Sequence, residues 1–148
     1  MSSLPKESTV CFNIKFSWHS IYRMYNQQAV DHELTTSIGF VLLNIDSKNG
    51  TPATKIAPLL GMEPRSLSRM LKSLEEKGLI YRESDTKDKR LVKIFLTGLG
   101  KEKKEIAKRT VKRFNHAIRQ HVDAKKLDTF FEVIQDINKI IERNNIFS

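Results

Sequence analysis

One short stretch of the chain places cations and hydroxyl groups at helical spacing. In residues 64–78, PRSLSRMLKSLEEKG, the apolar side chains recur on one side of a predicted helix, and the opposite side carries no acid before Glu75. The residues of this recognition face are Arg65, Ser66, Ser68, Arg69 and Lys72. Arg can form two hydrogen bonds with guanine, Ser can hydrogen-bond to a base edge or a phosphate, and Lys can neutralise the charge of a phosphate. The face is therefore typical of a helix that enters the major groove of DNA, whereas an ordinary solvated face usually mixes charge signs.

A second group of charges lies at the tip of a predicted hairpin. In residues 84–100, SDTKDKRLVKIFLTGLG, a loop of alternating acids and bases runs into an apolar strand in which Val92, Ile94 and Leu96 share one face. The upstream run LIYRE supplies the other strand. A hairpin directly after a recognition helix is a wing, and a narrow minor groove concentrates the negative potential that attracts its cations. The basic residues at this tip are Lys87, Lys89 and Arg90.

Two short helices must position the recognition face. ATKIAPLLG predicts a helix that ends at Gly61, and Pro64 suits the first position of the next helix, which Gly78 closes. Ala57 lies where the helices would cross, and its small side chain permits close approach, while Leu67 points back into the angle between them. This spacing predicts a helix-turn-helix, with an ordinary amphipathic helical hairpin as the alternative.

Longer predicted helices flank a reading head that we place at residues 35–97. The first helix runs from Thr9 to Ala29, and Thr35 or Thr36 can cap a short second helix. Residues 98–146 predict two more helices, and the last carries a broad apolar stripe. Its members are Leu127, Phe130, Phe131, Val133, Ile134, Ile137, Ile140 and Ile141. Such a stripe needs more than one partner. Residues 9–30 and 98–146 are therefore interpreted as a helical dimerisation region, with an intrachain core alone as the alternative.

Composition limits the setting in which the chain works. The 148 residues suffice for one compact domain, the single Cys excludes an intrachain disulfide, and the net charge of +9 suggests a polyanionic partner. No apolar run approaches the ~20 residues that span a bilayer. The N-terminus, MSSLPKESTV, lacks the pattern of a signal peptide. We therefore expect a soluble, cytoplasmic protein with no membrane partner.

The chain as a whole resembles the multiple-antibiotic-resistance regulator (MarR) family of winged helix-turn-helix repressors. Family wings have the pattern Asp-x-Arg-Asp-x-Arg, followed by a strand and Leu-Thr-x-x-Gly. This chain has Asp85, Lys87, Asp88, Arg90, Leu96, Thr97 and Gly100 at those positions. Lys87 departs from the pattern: it keeps the positive charge of the first Arg but cannot form the bidentate hydrogen bonds of a guanidinium group. The stretch LEEKGLI also resembles the family's entry into the wing.

The resemblance implies a fold and a way of binding. The fold would be mainly α with a small β-hairpin wing, and residues 1–148 would form a single domain. A homodimer would bind a palindromic site in double-stranded DNA, with Arg90 entering the minor groove. Asp85 and Asp88 would orient the basic side chains, since phosphate repels a carboxylate. Members of the family commonly bind a small, often aromatic or phenolic effector between the dimer helices and the reading head. The candidate pocket residues are Trp18, His19, Tyr22 and Phe40, which could equally be core.

Cys11 has a second interpretation. CFNIKFSWHSIYRMY resembles the start of the family's organic-hydroperoxide-sensing subgroup, in which two tyrosines lie near an early Cys. Tyr25 falls at one tyrosine position, but Lys15 occupies the other. Lys15 could favour the thiolate, yet it removes a phenol that the subgroup uses. We predict that Cys11 is not a redox switch, and a thiol-based peroxide-sensing repressor is the alternative.

No catalytic, metal-binding or cofactor-binding pattern is evident in the sequence. His116 and His121 lie five residues apart, which does not place them on one helix face. We therefore expect a non-enzymatic regulator without a cofactor: a homodimeric repressor that releases DNA when an effector binds. A winged-helix protein-interaction module is an alternative of another class, and the basic face at Arg65, Arg69 and Lys72 argues against it.

Overall fold

A computed structural model describes residues 6–143 and 145–147. The α-helices within them are α1 (Val10–Ala29), α2 (Thr36–Leu43), α3 (Ala53–Leu60), α4 (Pro64–Glu76), α5 (Gly98–His121) and α6 (Ala124–Arg143). The strands are β1 (Thr51–Pro52), β2 (Ile80–Ser84) and β3 (Val92–Leu96), and short 3₁₀ turns cover Lys6–Ser8 and Val30–His32. The predicted mainly α fold with a small hairpin is confirmed. Helix α6 ends at Arg143, within the region 98–146 that was predicted to hold the last two helices.

The strands form one antiparallel sheet in the order β1-β3-β2. Ile80 pairs with Leu96 and Tyr81 with Phe95. Ile94 and Leu96 are buried in β3, whereas only Ile80 is buried in β2. Pro52 has no N–H to donate to a second neighbour, which is why β1 lies at the sheet edge. The inner side of the sheet, with Ile94 fully buried, packs into the core.

The core lies between the short helices and this sheet. It includes Leu42 in α2, Ile45 just after α2, Ile56 in α3, and Leu71 and Leu74 in α4. The buried residues of α4 lie at helical spacing on one side, so burying them fixes which side of the helix remains outside. Packing of the core therefore determines the orientation of the recognition face.

The junction between the hairpin and α5 explains the Leu-Thr-x-x-Gly pattern. The Thr97 hydroxyl caps α5 by accepting from the Gly100 N–H at 3.0 Å, and it donates to the Gly78 carbonyl at 2.6 Å. The Thr97 N–H also donates to the Leu79 carbonyl at 3.1 Å. Gly100 approaches this same carbonyl so closely that a Cβ there would overlap it. Thr97 and Gly100 thus hold the start of α5 against the backbone of Gly78 and Leu79, immediately before β2.

The chain separates into two compact units, with the boundary between Thr110 and Val111 inside α5. The first unit contains the sheet and the core. The second contains the end of α5 and all of α6. In α6, Leu127 is buried and Ile134 and Ile137 are half-buried. The other members of the apolar stripe, Phe130, Phe131, Val133, Ile140 and Ile141, are exposed.

Candidate nucleic-acid interface

The recognition face lies on the solvent side of α4. All five of its side chains are exposed, whereas Leu67, Leu71 and Leu74 on the other side are buried. Pro64 is the first residue of the helix, where its missing N–H leaves no hydrogen bond unmade. The helix begins immediately before the recognition face, so four of its five residues lie in the N-terminal half of α4 and Lys72 lies just beyond. This half can deliver short and long side chains to base edges.

The turn before α4 has the predicted conformation. Gly61 has a φ of 61°, in the left-handed region, and Ala57 is only 6% exposed at the helix crossing. The Met62 N–H donates to the Ala57 carbonyl at 3.0 Å, which closes the end of α3. Leu67 packs into the core between the helices at 3% exposure. The helix-turn-helix prediction is therefore confirmed at Ala57, Gly61 and Leu67, on which it was based.

Two aspartates organise the wing tip, residues 85–91, in different ways. The Asp85 carboxylate accepts from the backbone N–H of Lys87 at 2.7 Å. The Asp88 carboxylate accepts from the backbone N–H of Arg90 at 3.0 Å and from its guanidinium Nε at 3.2 Å. Asp88 thus orients a basic side chain, while Asp85 shapes the loop through the backbone. Replacing the family's first Arg by Lys87 leaves the contact between Asp85 and the backbone in place.

The cations of the wing tip point into solvent. Lys87, Lys89 and Arg90 are all exposed, and the Arg90 side chain is 92% exposed despite its contact with Asp88. An exposed ion pair of this kind contributes only about 0–1 kcal/mol to stability. Its effect is to aim the guanidinium group, which stays available for a polyanion.

Sequence reasoning missed Arg82, which connects the wing to α4. Its Nε lies 3.3 Å from the Glu75 carboxylate of α4. Arg82, Arg90 and Ser68 also line a groove of about 490 Å³ bounded by α3, α4 and the hairpin. The period of two in β2 could have revealed Arg82, because it places this residue on the same face as buried Ile80.

Three of the four predicted pocket residues come together between α1 and α2. The ring of Trp18 lies 5.9 Å from that of Tyr22 and 5.8 Å from that of Phe40, measured between centroids. The Tyr22 and Ser37 hydroxyls are 3.0 Å apart. Trp18 and His19 are exposed, while Tyr22 and Phe40 are half-buried. None of the four is therefore fully buried within a single chain.

Cys11 is exposed in the first turn of α1. Tyr25 lies 14 residues along the same helix, or about 21 Å away at 1.5 Å per residue, so it cannot reach this sulfur within one chain. Tyr25 instead packs against Phe40 and is 7% exposed. Its burial raises the pKa of its phenol above the ordinary value.

The described residues include neither a metal-binding cluster nor a membrane-spanning helix. Within the described ranges, no group of three or more His, Cys, Asp or Glu side chains could hold a metal ion. No helix in the part of the chain that the structure describes is long and apolar enough to cross a membrane.

Comparison with known proteins identifies relatives of the chain. A model of the MarR family matches residues 34–92. The HTH-type transcriptional regulator SarZ of Staphylococcus aureus (strain MRSA252) is 31% identical over 107 residues, which cover 72% of each chain. The HTH-type transcriptional regulator TtmR of Methylorubrum extorquens (strain PA1) is 34% identical over 95 residues, or 64% of this chain. The match spans only 49% of TtmR's own length.

Solved structures share the fold at low sequence identity. The transcriptional regulator SlyA superposes with a TM-score of 0.82 at 22% identity, covering 93% of this chain and 96% of its own. MepR of S. aureus, solved as a DNA complex, gives 0.81 at 20% identity, with coverages of 88% and 97%. PcaV of Streptomyces coelicolor, solved with its natural ligand, gives 0.79 at 18% identity, with coverages of 94% and 98%. These likenesses establish the fold.

Proposed function

The chain is a DNA-binding transcriptional regulator of the MarR family, and from that premise we propose that it is a homodimeric repressor released by a small effector. Its target is a palindromic operator in double-stranded DNA. The proposal includes no catalytic step and no cofactor, and it places the protein in the cytoplasm. Neither peroxide sensing nor a protein-interaction module is part of it.

The observation that carries the proposal is the pairing of two exposed basic surfaces in one unit. The recognition face supplies Arg65, Arg69 and Lys72 with Ser66 and Ser68 between them, and the wing tip supplies Lys87, Lys89 and Arg90. The first surface has the donors that read guanine and contact phosphate in a major groove. The second has a guanidinium group that is largely exposed, suited to a narrow minor groove. One reading head can therefore contact two adjacent grooves.

The apolar stripe of α6 supports a second copy of the chain as the partner. Phe130 and Phe131 are 53% and 41% exposed, and Ile141 is 59% exposed. Exposed aromatic and aliphatic side chains grouped on one helix mark an association surface. A two-fold dimer would present two reading heads, which matches a palindromic site.

The aromatic group between α1 and α2 supports the effector part of the proposal. Trp18, Tyr22 and Phe40 offer stacking surfaces, and the Tyr22 hydroxyl offers a hydrogen bond, as an aromatic or phenolic ligand needs. His19, which is exposed on α1, is the fourth candidate for the effector pocket. PcaV, which shares the fold, was solved with its natural ligand. An effector releases DNA only if it binds the non-DNA-binding arrangement more tightly.

Selection from a random duplex pool, followed by footprinting, tests this function. We expect a palindrome with half-site centres about 34 Å apart, one helical turn, bound by two copies of the chain. The stoichiometry is measured by sedimentation of the protein–DNA complex. A single asymmetric half-site occupied by one copy would contradict the dimer, and failure to select any duplex would contradict the function as a whole.

A further inference from the structure

Thr36 is a buried polar residue at the start of the reading head. It is the first residue of α2 and is 5% exposed. The first N–H groups of a helix have no partner inside the helix, and a buried donor without a partner is costly. The Thr35 hydroxyl satisfies the Ile38 N–H at 3.2 Å, but it leaves the Thr36 N–H for another group.

That group comes from a different helix. The Asn26 Oδ1 atom in α1 accepts from the Thr36 N–H at 2.8 Å and from the Thr36 hydroxyl at 2.7 Å. The same hydroxyl lies 3.1 Å from the Tyr22 carbonyl of α1. A side chain of α1 therefore caps α2, and one amide oxygen holds both donors of Thr36.

Other contacts stabilise the same junction between α1 and α2. The Tyr22 and Ser37 hydroxyls are hydrogen-bonded across it at 3.0 Å. Glu33, with a φ of 55°, turns the chain between the helices in the left-handed region. The Lys103 ammonium group of α5 donates to the His32 carbonyl in this corner at 2.6 Å. The angle between α1 and α2 is thus set by several directional contacts.

We propose that Asn26 is a positioning residue that fixes the reading head on α1 and thereby sets the half-site spacing that the dimer accepts. The inference rests on the proposed homodimer, in which α1 belongs to the dimerisation region and α2 to the reading head. Over the roughly 30 Å length of α1, a tilt of about 5° moves its far end by about 3 Å. That displacement is comparable with the ~3.4 Å rise of one base pair.

Two substitutions at Asn26 separate the contact from the general packing. Asn26→Asp keeps an acceptor at Oδ1, and the N-terminus of α2 favours its negative charge. Asn26→Leu keeps the approximate size but removes the acceptor for both donors of Thr36. Gln27→Leu makes a similar polar-to-apolar change at the next residue of α1, which is exposed, and serves as the matched control. Thr36→Val, which removes only the hydroxyl, is a second test should Asn26→Leu fail to fold.

The test measures dissociation constants for the selected palindrome, for versions with one base pair added or removed between half-sites, and for an isolated half-site. The native protein, N26D and Q27L should prefer the original spacing. In N26L this preference should fall roughly tenfold, in line with loss of the partly buried hydrogen bonds from Thr36, while half-site affinity stays unchanged. T36V should change in the same direction. Folding is checked by circular dichroism.

Three results with the variants would overturn the inference and leave the homodimer proposal standing. N26L and T36V could keep the native spacing preference, or they could lose affinity equally for half-site and palindrome, which would indicate damage to the reading head. N26D could fail to preserve the preference, which would show that the acceptor is not the relevant feature. A native protein that ignores spacing would instead overturn the homodimer proposal, and the role of Asn26 with it.

Discussion

The Nε atom of Arg90 donates to the Asp88 carboxylate at 3.2 Å while 92% of the Arg90 side chain stays exposed. The backbone N–H of Arg90 donates to the same carboxylate oxygen. Arg90 is thereby held at both its backbone and its guanidinium group, yet its other donors face solvent. A side chain arranged in this way loses less conformational entropy when it enters a groove.

Arg90→Ala should weaken the preference for A·T-rich sequence flanking the half-sites. The physical reason is that a narrow A·T-rich minor groove concentrates negative potential that a guanidinium group senses. Affinities are measured on duplexes that differ only in those flanks. Lys89→Ala removes a neighbouring exposed cation and should lower affinity evenly across flanks. The interpretation fails if both variants lose the same affinity on every duplex.

Arg69→Ala should relax base preference at one position in each half-site. Loss of a base-reading Arg should cost ~1–3 kcal/mol on the preferred sequence and much less on other sequences. Lys72→Ala supplies the contrast, because a phosphate contact should weaken binding uniformly and lower the salt dependence by about one ion. Repeating the random-pool selection with each variant measures the difference. An unchanged consensus with R69A would remove Arg69 from base reading.

Gly100→Ala should destabilise the fold, whereas Gly98→Ala should not. A Cβ at Gly100 would overlap the Leu79 carbonyl, but nothing lies within 4 Å of the corresponding position at Gly98. Overpacking typically costs about 1–3 kcal/mol. Ala at position 98 should be neutral or slightly stabilising, because Ala favours helix over Gly by up to about 1 kcal/mol. Urea denaturation of both variants checks this. Equal midpoints would contradict the close approach of Gly100 to the Leu79 carbonyl.

Asp46 should make stability depend on pH. Backbone N–H groups of Asn49 and Lys48 donate to its carboxylate at 2.7 and 2.9 Å, which lowers its pKa. A carboxyl whose pKa is lowered by folding stabilises the fold above its unfolded pKa, and this contribution is lost as the pH falls through the folded value. Native protein should therefore exceed D46N in unfolding free energy at neutral pH. The gap should close in acid, and a gap that is constant with pH would refute the assignment.

Cys11→Ser should bind the operator with native affinity, before and after treatment with organic hydroperoxide. Cys11 is exposed, but Lys15 occupies a position where the peroxide-sensing subgroup has a tyrosine, and Tyr25 is remote within the chain. Binding is compared by fluorescence anisotropy with and without oxidant. If peroxide releases the native protein and leaves C11S bound, the effector is an oxidant and our prediction is wrong.

The reading head could be predicted because its determinants are local. Gly61 and Gly78 adopt the positive φ that their positions at helix ends require, and Pro64 begins α4 as its fixed φ favours. The buried leucines of α4 follow its helical period. These conformational preferences belong to single residues and near neighbours, so they can be recognised in sequence.

Other contacts depend on where the chain brings distant residues together. Nothing near Asn26 in sequence indicates that its side-chain oxygen caps a helix that begins ten residues later. Likewise, the sequence does not indicate that Arg82 pairs with Glu75. Asp85 and Asp88 look equivalent in sequence, yet only Asp88 contacts a guanidinium group. The sequence by itself determined the elements and the chemistry of their exposed faces, because propensity and periodicity are local. Only the tertiary structure decided which donors and acceptors meet, because those pairings depend on the packing of the core and on the turns that connect its elements.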